Sequence, residues 1–203
     1  MTASLLGLVV CLTFVFGPFY EAKSESNSAS GVVAGFQGAL LDVMKSAKTL
    51  SVAQRFERLA PTVDKSFHIG LMTQISAGNF WRTATKDERQ KLVGAFRRMS
   101  LATLATLFSG YSGETFIVRN EKPGPSKTTI VMTVLKKSDG DEVSIAYVAR
   151  QFKVGWRMID VVVDSGISEL KVRRSEYHQV LKKGGVPALI TLLNNKADQL
   201  MSQ

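Results

Sequence analysis

Residues 153–177, KVGWRMIDVVVDSGISELKVRRSEY, change their hydrophobic period within a few positions and constrain the fold more than any other stretch. The first part carries Trp156 and a branched apolar block, which is typical of a β-strand. Residues 164–166, Asp-Ser-Gly, predict a turn. The stretch then leaves as a basic helix through Arg173 and Arg174. We therefore expect the strand to form one wall of an apolar pocket, with the turn and helix closing it.

Apolar and polar residues already alternate, as is typical of β-strands, in the roughly 40 residues before this strand. Residues 122–125, Lys-Pro-Gly-Pro, predict a loop, since proline cannot donate to a central strand. Residues 138–141, Ser-Asp-Gly-Asp, are a hairpin signal. Four strands follow from this pattern as a meander of antiparallel neighbours, and they cover residues 114–119, 127–136, 142–152 and 154–163.

The first half of the chain has the helical period instead. Residues 31–50 predict one helix, and Ser51 is a good N-cap for a second helix with Arg55 on its outer side. Pro61 predicts a restart of the helix, since a proline in the first turn loses no hydrogen bond. Gly78 ends this helical region.

Residues 85–88, Thr-Lys-Asp-Glu, match the capping box and open a long helix with one apolar face. After the meander, residues 168–182 predict a further helix, Gly184 and Gly185 interrupt it, and Pro187 begins the last one. Helices before and after a curved antiparallel sheet predict an α+β fold with the helices on one side of the sheet.

The N-terminus does not resemble the rest of the domain. Residues 5–16 form an apolar run too short for a bilayer span, which needs about 20 residues, and they fit the core of a secretory signal. We expect a signal peptide over residues 1–22 with cleavage near Ala22, a polar lead-in over residues 23–30, and a single domain over residues 31–203. An N-terminal anchor or buried helix is the alternative. Cys11, the only cysteine, lies in the signal, so a cleaved chain has no thiol.

The charge of the chain is strongly positive. The formal net charge is +9, and it becomes +10 without residues 1–22, which carry only Glu21. Such a charge favours an anionic partner, and export argues against nucleic acid. A membrane surface or a membrane protein complex remains, beside the alternative that the charge serves solubility alone. We expect a monomer.

Residues with catalytic or metal-binding patterns are few. His68 and His178 have no second histidine or carboxylate at metal-ligand spacing, and nucleophile-elbow and phosphate-loop motifs are missing. Asp160 and Asp164 lie four apart on the fourth strand and could share a face for acid–base work. The alternative is that Asp160 pairs with a basic group and Asp164 makes a turn. We therefore predict no catalytic residue, no metal and no cofactor.

Aromatic and methionine residues are spread over every predicted element. They form either an ordinary core or the lining of an apolar cavity between sheet and helices. Alternation leaves open which face of each strand is the inner one. The predicted cavity residues are Phe67, Leu71, Phe96, Met99, Leu104, Phe108, Met132, Val134, Ile145, Tyr147, Trp156 and Ile159.

The order of elements and the final 50 residues resemble the toluene-tolerance family of MlaC-type periplasmic lipid carriers. Residues 181–200, LKKGGVPALITLLNNKADQL, also look like the end of that family. The form of residues 167–177 is most similar to its hopanoid-biosynthesis-associated branch. The positions that match the family motif are Trp156, Asp160, Val161, Gly166, Ile167, Ser168, Arg174 and Tyr177.

The resemblance implies an NTF2-like curved sheet and a periplasmic carrier without enzymatic activity. Such a carrier would hold a hopanoid, a related triterpenoid or phospholipid acyl chains, and shuttle them between membrane-bound partners such as a transporter complex. Candidate docking residues are Arg173, Arg174, Lys182 and Lys183. Two rivals stay open: a hydrolase or isomerase on the same fold that uses Asp160, and an adaptor with a solid core.

Overall fold

The computed structural model describes residues 27–164 and 166–203. The predicted signal peptide with Ala22 and Cys11, the first residues of the lead-in, and Ser165 lie outside this range. The helices are α1 (Ala29–Ser46), α2 (Val52–Ser66), α3 (Ile69–Ala77), α4 (Phe80–Thr83), α5 (Lys86–Leu107) and α6 (Glu169–Met201). None of the helices in the described residues combines the length and apolar character of a membrane span.

Side-chain caps set the beginnings of the helices. The Ser28 hydroxyl accepts from the Gly31 amide at 2.9 Å, so α1 starts two residues earlier than predicted, inside the expected lead-in. The predicted Ser51 cap of α2 is confirmed, and Gln54 completes a capping box there. The capping box that opens α5 is confirmed as well. Each cap satisfies amides that have no partner within the helix.

The strands form one antiparallel sheet in the order β1-β2-β3-β4-β5. The predicted four-stranded meander is confirmed, and a two-residue fifth strand is added to it. The strands are β1 (Thr115–Gly124), β2 (Thr128–Lys136), β3 (Glu142–Phe152), β4 (Gly155–Val163) and β5 (Ile167–Ser168). The predicted α+β class is therefore confirmed.

The predicted loop at residues 122–125 is wrong for residues 122–124, because β1 continues to Gly124 and Pro123 pairs with Thr129, whereas Pro125 begins a 3₁₀ turn. Strand β1 lies at the edge of the sheet and has a neighbour on one side only. A proline is tolerated there, since its missing donor can face away from the partner strand.

The predicted restart at Pro61 is also wrong. Pro61 lies inside one continuous helix, α2, and both Pro61 and Glu57, whose carbonyl it cannot bond, are exposed. Water can satisfy that carbonyl. The helix ends at Ser66 instead, where Phe67 forms a parallel bridge to Met158 of β4.

Arg55 was predicted to face outward but is buried, with 7% of its surface exposed. Its Nε donates to the Ala105 carbonyl at 2.7 Å and its Nη1 donates to the Leu50 carbonyl at 2.6 Å. These two carbonyls lie at the C-terminal ends of α5 and of the 3₁₀ turn after α1, where the helix provides no amide donor for them. Arg55 therefore joins three helical segments by a fork of charged hydrogen bonds.

Two apolar clusters make up the core. The first joins α1 and α2 to the inner face of the sheet, where the Phe36 ring meets Phe67 edge-on at 4.8 Å and Tyr147 at 6.2 Å. The second joins α3, α5 and α6 around Phe96 and Tyr177. The predicted break in the last helical region is confirmed, because Gly185 has φ 66° and ψ −165°, a conformation that essentially only glycine adopts.

Candidate functional site

An apolar cavity of about 270 Å³ lies between the inner face of the sheet and the helices. Its volume is roughly twice the ~150 Å³ of an engineered apolar cavity that binds benzene. Strands β3 and β4 form one wall, and α1, α2, α3, α5 and α6 supply the others. Six of the twelve predicted cavity residues line it: Phe67, Phe96, Leu104, Phe108, Ile145 and Tyr147.

The register of the sheet decides which strand residues reach the cavity. Ile145 and Tyr147 of β3 face it together with Val163 and Val161, their partners in β4. Neighbouring residues of a strand point to opposite faces. Placing any one of these four residues on the inner face therefore places the other three there, and also Thr133, which pairs with Ile145.

Met132 and Val134 were predicted on the cavity face but lie on the other one. They pair with Ala146 and Ser144, which alternate with the cavity-facing Ile145. Both strand faces carry apolar residues, so periodicity could not select the inner one. Ile159 is buried without lining the cavity, at a register shift between β3 and β4.

Three further predicted residues lie around other depressions. Leu71 lines an open groove near His68, and Met99 lines a groove beside the cavity. Trp156 lines a surface groove near the start of α1. Helical spacing predicted that Leu71 and Met99 lie on apolar helix faces. It did not predict which residues each of them would pack against.

Helix α1 contributes cavity residues that the sequence placed only on a helical stripe. Phe36 and Leu40 line the cavity and are at most 3% exposed. Val63 of α2 and Met72 of α3 join them. Their spacing along each helix predicted a buried helix face. It did not predict that α1 packs against the sheet, because that contact joins residues far apart in the sequence.

The buried polar side chains next to the cavity residues Ile145 and Tyr147 are satisfied within the protein. Gln37 donates to the Thr133 hydroxyl at 3.1 Å, and that hydroxyl donates to the Ile145 carbonyl at 2.9 Å. Burial raises the pKa of Tyr147 to about 12, against a smaller opposing effect of its hydrogen bond with Gln37. The cavity wall at Ile145 and Tyr147 is therefore neutral and largely apolar at physiological pH.

One end of the cavity is polar and holds Arg173. The Arg173 guanidinium lies 5.8 Å from the centre of the Phe96 ring, and its Nη1 donates to the Tyr177 hydroxyl at 3.3 Å. Burial raises the pKa of Tyr177, and the cationic Arg173 opposes this shift. Arg173 was predicted to face a partner, but it is half-buried at the cavity. Arg174, Lys182 and Lys183 are exposed.

The carboxylate of Asp160 is occupied by the start of α6. It accepts hydrogen bonds from the Ser168 hydroxyl at 2.5 Å, the Leu170 amide at 3.2 Å and the Val161 amide at 2.8 Å. Asp164 lies beyond the strand with φ 47°, and its amide donates to the carbonyl of Ser144. The Asp160 carboxylate thus holds the start of α6, and Asp164 is held by its backbone amide.

The two histidines have structural surroundings. The Nδ1 atom of His68 accepts from the Leu71 amide at 3.2 Å and caps α3, and its ring lies 4.5 Å from that of Phe152. The His178 ring lies 6.2 Å from that of Phe80. Within residues 27–164 and 166–203, no group of three His, Cys, Asp or Glu could hold a metal ion.

A curved antiparallel meander, covered by helices that enclose an apolar cavity with one polar end, defines the NTF2-like class of α+β folds. Residues 36–195 match the family described as MlaC protein. The chain belongs to this family, as the resemblance in the final 50 residues predicted.

A solved structure with the same fold is described as a phospholipid-binding protein from Ralstonia solanacearum in complex with a phospholipid. The two chains are 20% identical, the match covers 85% of this chain and 98% of that one, and the TM-score is 0.75. A comparison with curated proteins gave no match.

Proposed function

We propose that this protein is a periplasmic lipid carrier that holds a phospholipid acyl chain in the apolar cavity between the sheet and helices. The observation that carries the proposal is the cavity itself, with a largely apolar lining and a cation, Arg173, at one end. Family membership and the phospholipid described in the Ralstonia solanacearum protein support the choice of ligand.

The energetics suit a carrier. Burial of one CH₂ group is favourable by about 0.8 kcal/mol, so an acyl chain of ~16 carbons supplies roughly ten kcal/mol before the costs of ordering. A cavity of about 270 Å³ takes up part of such a chain, and the remaining carbons need side chains around the mouth to move. Leu107 lines the cavity while it is 70% exposed, which places an exposed apolar group at that mouth.

The geometry favours this function over the two rivals from the sequence. Asp160 uses its carboxylate oxygens to hold α6, so an enzyme would need another acid or base. A solid adaptor core conflicts with the cavity between β3, β4 and the helices. A hopanoid is the alternative ligand within the carrier function.

Native mass spectrometry of the processed protein, purified after export from a bacterial host, tests the proposal. We expect a stoichiometric phospholipid in the extracted lipid fraction and a mature N-terminus near residue 23. A hopanoid in its place would revise the ligand. A protein that carries no lipid, and takes up none from vesicles, would refute the carrier function.

We further propose that the exposed cations Arg174, Lys182 and Lys183 dock the carrier onto an anionic membrane or a membrane-bound transporter complex. Exposed charges attract over roughly 8 Å at physiological ionic strength, so capture by bacterial membranes should weaken as salt rises. The triple variant to glutamine should lose most of this capture. Capture that is insensitive to both salt and the triple variant would contradict the docking role.

A further inference from the structure

A second groove adjoins the polar end of the cavity. It has a volume of about 380 Å³ and lies between α5 and the two segments of α6. Thr103, Glu169 and Arg173 line both spaces, so the groove and the cavity adjoin at these residues. We call it the headgroup groove, and its other charged residues are Glu176 and Lys196.

Arg173 is held in place without being neutralised. Its Nη1 contacts the Tyr177 hydroxyl at 3.3 Å and the Met99 sulfur at 3.5 Å, and its guanidinium lies over Phe96. Arg97 and Arg98 each form an ion pair with an aspartate. By contrast, no carboxylate of the described residues lies within 4.0 Å of the Arg173 guanidinium. Both protein contacts use Nη1, so the N–H groups of Nε and Nη2 are free of protein acceptors within residues 27–164 and 166–203.

A guanidinium with free N–H groups next to an apolar wall suits a phosphate. Arginine binds phosphate through two parallel hydrogen bonds, and such charged bonds strengthen where neighbouring apolar groups exclude water. The Phe96 ring provides that neighbour for Arg173. A phosphate at Arg173 would lie where the groove adjoins the apolar cavity that the proposed acyl chain occupies.

The remaining charges of the groove select the class of headgroup. Arg173 and Lys196 supply two positive charges, and Glu169 and Glu176 supply two negative ones. A headgroup whose second group is negatively charged or uncharged leaves Glu169 and Glu176 without a positive counterpart. A phosphate joined to an ammonium group matches both signs.

We propose that the headgroup groove binds the zwitterionic headgroup of a phospholipid such as phosphatidylethanolamine. The phosphate accepts hydrogen bonds from Arg173 with Lys196 nearby, and the ammonium group lies beside Glu169 and Glu176. This inference rests on the proposed carrier function and adds the headgroup to it. It also gives Arg173 a role in ligand binding in place of the partner docking that the sequence suggested.

A competition between lipids with identical acyl chains tests the inference. The processed protein is stripped of lipid and incubated with equal amounts of dioleoyl phosphatidylethanolamine, dioleoyl phosphatidylglycerol and dioleoylglycerol, and native mass spectrometry counts what is bound. We expect phosphatidylethanolamine to exceed dioleoylglycerol by at least about tenfold, the effect of one charged hydrogen-bonded contact. It should exceed phosphatidylglycerol severalfold.

Variants locate the selectivity. Arg173→Gln should remove most of the preference for phosphatidylethanolamine over dioleoylglycerol, whereas Lys171→Gln removes a positive charge from an exposed position on the same helix and should leave the lipid preference unchanged. Lys196→Gln, at an exposed position, should reduce the preference severalfold. Glu176→Gln, also exposed, should raise phosphatidylglycerol relative to phosphatidylethanolamine.

The outcomes separate the two proposals. Equal binding of all three lipids, unchanged in Arg173→Gln and Lys196→Gln, would overturn the headgroup groove and leave the cavity as an acyl-chain site. A preference for phosphatidylglycerol would overturn the zwitterionic assignment. Binding of none of the three would overturn the carrier function and the headgroup groove together.

Discussion

The hydroxyl of Ser168 donates to the carboxylate of Asp160 at 2.5 Å and at the same time accepts from the Lys171 amide at 3.1 Å. The two residues therefore connect β4 to the first turn of α6. The Leu170 amide adds a second donor to the same carboxylate at 3.2 Å. Three residues after Leu170, α6 brings Arg173 to the polar end of the cavity, so this contact also positions the cation there.

Removal of the Asp160 carboxylate should destabilise the protein. Asp160→Ala leaves two amides and a hydroxyl without their charged acceptor, and we expect the free energy of unfolding to fall by about 2–4 kcal/mol. Urea denaturation followed by circular dichroism measures it. Asp42→Ala, at an exposed position on α1, is the control and should change stability by less than about 0.5 kcal/mol. Similar small losses in both variants would disprove the structural role.

Two adjacent valines of β4 allow a matched test of the cavity wall. Val161 lines the cavity, and Val162 points to the opposite face, although both are half-buried. Val161→Trp should lower lipid occupancy at least about tenfold, because the indole displaces two or more CH₂ groups at about 0.8 kcal/mol each. Val162→Trp should leave occupancy unchanged. Native mass spectrometry of both variants decides, and equal occupancy in the two would contradict the assigned face.

Arg55 is expected to contribute to stability through backbone carbonyls. Arg55→Ala should lower the free energy of unfolding by about 2–4 kcal/mol, because the carbonyls of Ala105 and Leu50 lose their charged donor. Arg55→Lys should recover only part of this loss, since one ammonium cannot reproduce the planar fork. The control Arg58→Ala removes an exposed arginine of the same helix. A loss in Arg58→Ala as large as in Arg55→Ala would exclude the fork as the cause.

Tyr147 gives the protein a defined sensitivity to alkali. Burial raises its pKa to about 12 in the folded protein, against about 10 in an unfolded chain. Between these values the unfolded state loses the proton and the folded state keeps it, so stability is full below pH ~10 and falls up to pH ~12. The loss attributable to Tyr147 should be about 2–3 kcal/mol.

The comparison for this alkaline effect is Tyr147→Phe, which keeps the ring and removes the ionisable group. Urea midpoints measured across the alkaline range should fall less steeply in the variant than in the parent protein. Parallel curves would show that other groups cause the alkaline loss.

The helices and their caps followed from local patterns. Ser51 and Thr85 are N-caps because their side chains accept hydrogen bonds from backbone amides only three residues further on. The meander followed from alternation and turn residues in the same way. Such interactions lie within a few residues of each other, so their signals are written into neighbouring positions of the sequence.

The lining of the cavity was predictable only in part. A strand with apolar residues on both faces is compatible with either orientation, so Met132 and Ile145 looked equivalent until β3 was placed against the helices. A helical stripe shows a buried face without its neighbour, and Arg55 lies on such a face against carbonyls 5 and 50 positions away. The edge position of β1, which admits Pro123, depends on the whole sheet.

The sequence by itself determined most of the helices and strands, the order of the meander, the break before Val186 and the family. The tertiary structure alone decided which strand face encloses the cavity, and that Arg173 turns toward Phe96 rather than toward solvent. The reason is physical: backbone periods and caps depend on contacts a few residues apart. Burial of a given face depends on contacts between residues more than 70 positions apart, such as Met99 and Arg173.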